Sequence, residues 1–82
     1  MTAEYSLEVF ALCPVDGKPD IYACTVRSGR TIQVEDIIAV REELRAAKLF
    51  QEDLTAELHR RLAAQVETVG WHSGVRARVV AG

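Results

Sequence analysis

The stretch "ALCPVDGKPDIYACTV", residues 11–26, decides the start of the fold because it has the pattern of two strands joined by a turn. Its Asp-Gly and Pro residues supply the backbone dihedral angles that a tight turn needs. The apolar segment at residues 5–12 and the β-branched and aromatic segment at residues 21–28 are typical of strands. The sequence therefore predicts a β-hairpin, with Cys13 where the first strand enters the turn and Asp20 where the turn ends.

The hydrophobic period changes after this hairpin. Residues 33–47 and residues 50–64 each place apolar side chains on one helical stripe. The first stripe contains Val34, Ile37, Ile38 and Leu44, and the second contains Leu54, Leu58 and Leu62. Residues 65–82 return to alternation and predict two strands around a turn at "HSG". The predicted order of elements is β-β-α-α-β-β.

This order predicts one α+β domain over residues 1–82. Two hairpins form a single antiparallel sheet, and both helices cover one face of it. The other face also has apolar positions, and the sheet has open edges. Assembly into a ring would pair those edges and cover the second face, so we expect a ring-shaped homo-oligomer.

Composition and charge exclude several classes of protein. The chain has 82 residues, of which 49% are hydrophobic and 27% are charged, with a net charge of -2 and a pI near 5.6. This balance argues against strong electrostatic binding of nucleic acid, which usually needs a basic face. The sequence shows neither a basic, apolar leader nor a run of about 18 apolar residues. We therefore expect a cytoplasmic protein with reduced thiols and no membrane span.

Cys13 and Asp20 are the candidate catalytic pair. A free cysteine is commonly a small buried hydrophobe, and an aspartate that follows a proline commonly caps a turn. Across a hairpin turn, however, the two side chains lie near each other. A carboxyl beside a nucleophilic thiol can act as a general acid on the group under attack. Both interpretations stay open on the residues alone.

The other cysteine and the two histidines do not predict a metal site. Cys13 and Cys24 are eleven residues apart, and together with His59 and His72 they lack the spacing of a zinc site. Cys24 is expected in the core or on the sheet, close enough to Cys13 for a redox pair to be considered. His59 is expected on the solvated side of the second helix, and His72 is the only histidine in a predicted turn.

Two further residues are candidates for binding a planar ligand. Glu52 lies at the start of the second helix, where acidic residues commonly complement the helix dipole. A carboxylate there can also accept two hydrogen bonds from an N–H edge such as that of guanine. Trp71, in "GWHSGV", either packs over a hydrophobic edge, which we favour, or stacks on such a ring.

The hairpin segment "LCPVDGKPD" (12–20) resembles the "LCPxTxQPD" motif of the 7-cyano-7-deazaguanine reductase (QueF) family. The resemblance implies the tunnelling fold (T-fold), whose unit is also β-β-α-α-β-β and whose subunits form rings with active sites between them. In that family the cysteine of the motif attacks the nitrile carbon to form a covalent thioimide, and the aspartate donates a proton. These roles fall on Cys13 and Asp20.

A second segment supports the resemblance, which covers about residues 5–80. "LRAAKLFQEDLTAELHRRL" (44–62) is similar to the family's "FRNHGDFHEDxxN" segment. The positions that coincide are Arg45, Phe50, Glu52 and Asp53. The family glutamate that anchors the deazaguanine ring falls on Glu52, and the histidine before it is replaced by Gln51. We expect Glu52, Gln51 and His72 to form the substrate-binding part of the site.

The resemblance also has departures that bear on the reaction. The reductase signature "ESKSLK", tied to NADPH, aligns with "QVEDII" (33–38), which lacks both lysines and both serines. The family's Arg-Gly-Gly segment is reduced to "HSGV" (72–75). The resemblance therefore implies a QueF-like amidinotransferase, which adds ammonia to the thioimide to give archaeosine, in preference to a reductase. No cofactor is expected, except NADPH if the reductase interpretation holds.

The expected partners are a 7-deazaguanine small molecule, or the same base in tRNA, and further copies of the chain. A ring would cluster the basic residues Arg27, Arg30, Arg76 and Arg78. One alternative is a degenerate, non-catalytic module that binds a purine, a pterin or a partner subunit. A pterin or GTP-cyclohydrolase-type enzyme is another, but it needs a metal or histidine cluster that His59 and His72 do not supply.

Overall fold

Six elements follow one another in the order that the sequence predicts. The computed structural model describes residues 1–82, and its strands and helices are β1 (Ala3–Leu12), β2 (Pro19–Ser28), α1 (Val34–Leu44), α2 (Gln51–Leu62), β3 (Gln65–His72) and β4 (Val75–Ala81). The strands form one antiparallel sheet in the order β1-β2-β3-β4. Neither helix has the length and apolar character that crossing a membrane requires.

The register of the first hairpin places its turn at residues 13–18. Leu12 lies opposite Pro19, and the pairing continues without a bulge to Ala3 and Ser28. The Cys13 N–H donates to the Lys18 carbonyl at 2.8 Å and closes the turn. Gly17 adopts a left-handed φ of 73°, which glycine tolerates because it has no Cβ. Cys13 and Asp20 therefore come together at the closed end of the hairpin.

Both helices pack on one face of the sheet, as predicted. Side chains alternate along each strand, so every second residue of a strand faces the helices. The buried sheet residues include Val9, Ala11, Tyr22, Cys24, Val26, Val66 and Thr68. Leu54, Leu58 and Leu62 of α2 are buried against them, which confirms the predicted stripe of this helix.

The predicted stripe of α1 is only half right. Ile37 and Leu44 are buried, whereas the side chains of Val34 and Ile38 are 53% and 40% exposed. The helix lies beside the edge strand β1, so part of its apolar surface extends past the sheet. There Val34 and Ile38 border an open groove next to Tyr5.

The segment between the helices joins the hairpin instead of forming a plain loop. The N–H of Leu12 donates to the Ala47 carbonyl at 2.9 Å, and the N–H of Leu49 donates to the Leu12 carbonyl at 3.1 Å. These two bonds form a short parallel bridge at the end of β1. Because α2 begins at Gln51, the bridge holds the start of this helix beside the hairpin turn.

Replacement of Gly70 by alanine tests the closest packing between the strands. A Cβ at this position would lie 2.4 Å from Cδ1 of the Tyr22 ring, so the ring would have to move. Overpacking of this kind typically costs about 1–3 kcal/mol of unfolding free energy. We expect the G70A variant to unfold at a lower urea concentration. The matched control is G29A, where an added Cβ meets nothing within 4 Å; equal midpoints for the two variants would contradict this packing.

Candidate active site

A cleft of about 430 Å³ opens at the closed end of the first hairpin. Three parts of the chain line it: the hairpin, the start of α2 and the turn between β3 and β4. Its principal residues are Cys13, Asp16, Asp20, Tyr22, Phe50, Gln51, Trp71 and His72. Four of the five residues predicted for the site, Cys13, Asp20, Gln51 and His72, therefore line one cleft. The combination of a thiol, carboxyls and an imidazole is suited to covalent attack with proton transfer.

Asp20 and Tyr22 form the floor of the cleft beside Cys13. The Tyr22 hydroxyl donates to the Asp20 carboxylate at 3.4 Å. Burial raises the pKa of Tyr22 to about 12, and the neighbouring charges of Asp20, Cys13 and Glu52 add to this rise. Tyr22 therefore stays a neutral donor at physiological pH. The same shift indicates that these three acidic groups lie within electrostatic range of its hydroxyl.

Asp16 is a second carboxylate of the cleft that the sequence interpretation missed. It accepts a hydrogen bond from the Lys18 N–H at 2.9 Å. This bond is the main reason that its pKa lies below the usual range, and a hydrogen bond with the Cys13 thiol contributes in the same direction. Asp16 therefore stays ionised next to Cys13. The Asp-Gly turn signal could have indicated it, since the same turn contains Cys13.

Gln51 is buried, and its amide bonds to the protein at both ends. Its Nε2 donates to the carbonyls of Thr68 at 3.2 Å and Ala77 at 3.0 Å, and to the Thr68 hydroxyl at 3.1 Å. Its Oε1 lies 2.9 Å from Nε2 of His72. Gln51 was predicted to bind substrate; in the structure both ends of its amide bond to the protein, and its Oε1 contacts the His72 ring.

His72 lies at the end of β3, directly before a two-residue turn. Ser73 and Gly74 both have positive φ, of 51° and 83°, which is the geometry of a tight hairpin turn. The imidazole is tilted against the Tyr22 ring, with 5.7 Å between the ring centroids. His72 is therefore supported on one side by Tyr22 and on another by Gln51, while its ring is exposed to the cleft.

Glu52 is the predicted site residue that does not line the cleft. It is exposed in the first turn of α2, beside Asp53, where acidic residues complement the helix dipole. Its charge nevertheless contributes to the raised pKa of Tyr22, so it lies close to the rim. Trp71, for which packing was favoured, is 68% exposed, because it stands on the uncovered face of the sheet next to the cleft.

Cys24 lies in the core, as expected, whereas its considered pairing with Cys13 and the solvated position expected for His59 need correction. Cys24 is buried opposite Leu7, whereas Cys13 lies beyond the end of β1, so the two thiols are not cross-strand neighbours. Burial raises the pKa of Cys24 to about 12. His59 is half-buried rather than solvated, because its Nδ1 lies 2.7 Å from the Ala64 carbonyl beyond the end of α2. No group of three or more potential metal ligands occurs.

The fold of this chain is shared with a protein of known structure. No family model matches the sequence, and no curated protein matches it significantly. The crystal structure described as "archaeosine synthase QueF-Like in the apo form" is similar over 98% of this chain and 90% of that chain, with a TM-score of 0.85 and 18% sequence identity. The chain thus has the α+β tunnelling fold of a QueF-like protein, which confirms the predicted fold.

The two thiols are expected to differ sharply in reactivity towards iodoacetamide. The thiolate is the reactive form, and the pKa of about 12 keeps buried Cys24 protonated at mildly alkaline pH. Native protein should therefore gain one alkyl group, located on Cys13 by peptide mass spectrometry. Protein unfolded in guanidinium should gain two. In the matched C13A control the native protein should gain none, and rapid labelling of Cys24 in the folded chain would contradict the described core.

Proposed function

We propose that the protein acts on the nitrile of 7-cyano-7-deazaguanine through a covalent thioimide at Cys13. The observation that supports this most is the cleft itself. It combines the thiol of Cys13 with the carboxyl of Asp20, in the order and spacing of the QueF motif, within a QueF-like fold. The half-buried Cys13 is accessible from the cleft, unlike Cys24.

In the proposed first step the sulfur of Cys13 attacks the nitrile carbon. A C–S bond forms, and one C–N π bond breaks. The thiol proton ends on the nitrile nitrogen, so no oxidant or reductant is involved. Asp20 delivers that proton as the general acid, and the neutral Tyr22 hydroxyl orients its carboxyl through their hydrogen bond.

The planar base is proposed to lie between the aromatic side chains at the mouth of the cleft. Phe50 and Trp71 both line it and are 51% and 68% exposed, so each leaves a ring face for stacking. Glu52, at the rim, is the proposed anchor for the N–H edge of the base, because a carboxylate accepts two such bonds. In the proposed ring, a neighbouring subunit that packs on the rim would enclose Glu52 within the site.

We favour addition of ammonia over reduction by NADPH as the second step. The segment aligned with the reductase signature forms the first turn of α1, where Glu35 and Asp36 are exposed. Acidic side chains repel the phosphates of a dinucleotide, and the lysines that would bind them are absent. With ammonia the product is an amidine, the group found in archaeosine. NADPH-dependent reduction remains the alternative within the same family.

The substrate is proposed to be the free base or the same base in tRNA. The hydrogen bonds of the arginines within the chain favour the free base. Arg27 bonds to Glu4 at 3.0 Å, Arg78 bonds to Glu67 at 2.8 Å, and Arg30 donates to the Leu62 carbonyl. Three of the four arginines expected to form a basic surface are therefore engaged within the chain. Free 7-cyano-7-deazaguanine is accordingly the first substrate to test.

We also propose that the chain assembles into a ring, as the family resemblance implies. The outer edge of β4 has no partner strand, and the outer edge of β1 is covered only at its end by the bridge at Leu12. Unpaired edges favour pairing with another chain. Ile21, Trp71 and Val80 are exposed on the face that the helices do not cover, and burial of such side chains would stabilise the assembly.

Light scattering during size-exclusion chromatography tests this assembly. The expected mass is a multiple of the 9.1 kDa chain. The two-residue turn makes His72 and Val75 a hydrogen-bonded pair, so the N–H of Val80 points away from β3. Proline at Val80 therefore removes an outward donor and should dissociate the ring if β4 forms its interface. Proline at Gly29, outside the strands, serves as the control. A monomeric wild-type protein at high concentration would contradict the proposed assembly.

Mass spectrometry of the intact protein tests the covalent step. Mixed with 7-cyano-7-deazaguanine, the wild-type chain should gain the full mass of the nitrile, because addition forms a bond without a leaving group. The C13A variant should gain nothing, whereas C24A should gain the same mass as the wild type. D20N should form the adduct roughly 10²–10⁴-fold more slowly, the usual range for loss of a general acid.

The fate of the adduct separates the two reactions. Ammonium salts should release an amidine and restore the free protein mass, with no change in NADPH absorbance. Oxidation of NADPH in the presence of the nitrile would overturn the amidinotransferase assignment. If no adduct forms, or if C13A forms the same adduct, the thioimide proposal is wrong and the non-catalytic binding module becomes the better account.

A further inference from the structure

The orientation of the Gln51 amide is determined by its surroundings. Two of the three atoms next to its Nε2 are carbonyl oxygens, those of Thr68 and Ala77, which can only accept hydrogen bonds. If the amide were rotated by half a turn, its oxygen would face these two oxygens and three hydrogen bonds would be lost. The NH₂ group therefore points at Thr68 and Ala77, and Oε1 points at His72.

A closed set of hydroxyl bonds fixes the same orientation independently. Thr55 donates its only hydroxyl proton to the backbone carbonyl of Gln51, one helical turn earlier, at 2.7 Å. It must then accept the bond from the Thr68 hydroxyl, also at 2.7 Å. With its own proton used, Thr68 Oγ1 can only accept from the Gln51 NH₂. All three side chains are buried, so no water is needed to complete the set.

This arrangement decides the tautomer of His72. Gln51 Oε1 is an acceptor, so the ring nitrogen 2.9 Å away, Nε2, has to carry a hydrogen. In the neutral ring the other nitrogen, Nδ1, then holds the free lone pair. The contact with Tyr22 keeps the ring tilted at 48° beside the floor of the cleft.

We propose that His72 is the proton-transferring base of the cleft, acting through Nδ1, and that Gln51 is the residue that positions it. This rests on the proposed function, and it extends it by assigning a third catalytic group. During addition, the proton leaves the sulfur of Cys13 for Nδ1 and passes through the Asp20 carboxyl to the nitrile nitrogen. The C–S bond forms, one C–N π bond breaks, and His72 returns to its neutral form.

The same nitrogen serves the second step. Ammonia adds to the thioimide carbon and forms a C–N bond. Nδ1 of His72 takes one proton from the added nitrogen and passes it to the departing sulfur as the C–S bond breaks. The products are an amidine and the free Cys13 thiol. The ring again ends in the form in which it began, so no redox partner is required.

Nitrogen NMR of the imidazoles tests the positioning role without any substrate. Long-range proton–nitrogen spectra separate a ring nitrogen that bears a hydrogen from one that does not. In the neutral wild-type protein we expect His72 to be the Nε2–H tautomer alone. The Q51M variant removes the acceptor and should give a mixture, provided that circular dichroism shows a folded chain. A neutral wild-type His72 that carries its hydrogen on Nδ1 would overturn the proposal, whatever Q51M does.

The rate of adduct formation with 7-cyano-7-deazaguanine tests the catalytic role. The H72Q variant keeps an amide that can bond to Gln51 but has no basic nitrogen, so it should react roughly 10²–10⁴-fold more slowly. Added imidazole should partly restore the rate of H72A. The matched control is H59Q, which changes the histidine bonded to Ala64 and should react as the wild type does.

The outcomes separate the two proposals. An adduct that forms at the wild-type rate in H72Q overturns the role of His72 and leaves the thioimide at Cys13 intact. The absence of an adduct with the wild-type protein overturns the proposed function, and with it the catalytic role of His72. A slow H72Q variant beside a normal H59Q variant, together with the Nε2–H tautomer, supports the full proposal.

Discussion

The register between β1 and β2 is the constraint on which the rest of the structure depends. Pairing of Leu12 with Pro19 leaves the turn at residues 13–18 held by two backbone bonds, and it puts a thiol and a carboxyl at the same end of the sheet. A slip of one residue would move every core side chain of a strand to the open face. The bonds from Leu12 to the segment before α2 then bring the start of that helix to the same place.

A buried amide connects this end of the sheet to α2. Gln51 bonds to β3, to β4 and to His72, and its backbone carbonyl accepts from Thr55. An unsatisfied buried polar group costs about 1–3 kcal/mol, so this set of bonds is stable only as a whole. The same requirement orients His72. Stability and the geometry of the cleft therefore depend on one side chain.

Much of the fold could be predicted from the sequence, because apolar periods of two and of about 3.6 separate strands from helices. The stripe of Leu54, Leu58 and Leu62 was predicted fully, and all three side chains are buried where α2 packs on β3 and β4. The stripe of α1 was not, because periodicity cannot reveal that a helix lies at an edge, where Val34 and Ile38 stay exposed. Within the site, Cys13 and Asp20 could be predicted because both belong to the one short segment, residues 12–20, that resembles the family motif.

The remaining site features depend on contacts between residues distant in the chain. Gln51 meets Thr68 and Ala77 only after the sheet forms, and nothing near Gln51 in the sequence indicates that its amide is buried. His59 has no local signal for its bond to Ala64 other than its place near the end of a helix. Asp16 was overlooked because a turn aspartate has an adequate structural explanation by itself.

The most direct test of the central claim, that the hairpin cleft forms a covalent bond with a deazaguanine nitrile, is a crystal structure of the protein soaked in 7-cyano-7-deazaguanine without ammonia. The account predicts continuous electron density from the Sγ atom of Cys13 to the nitrile carbon. It also predicts the planar base beside Phe50, with its N–H edge towards Glu52. A base bound elsewhere, or bound in the cleft with the Cys13 sulfur free, would contradict it.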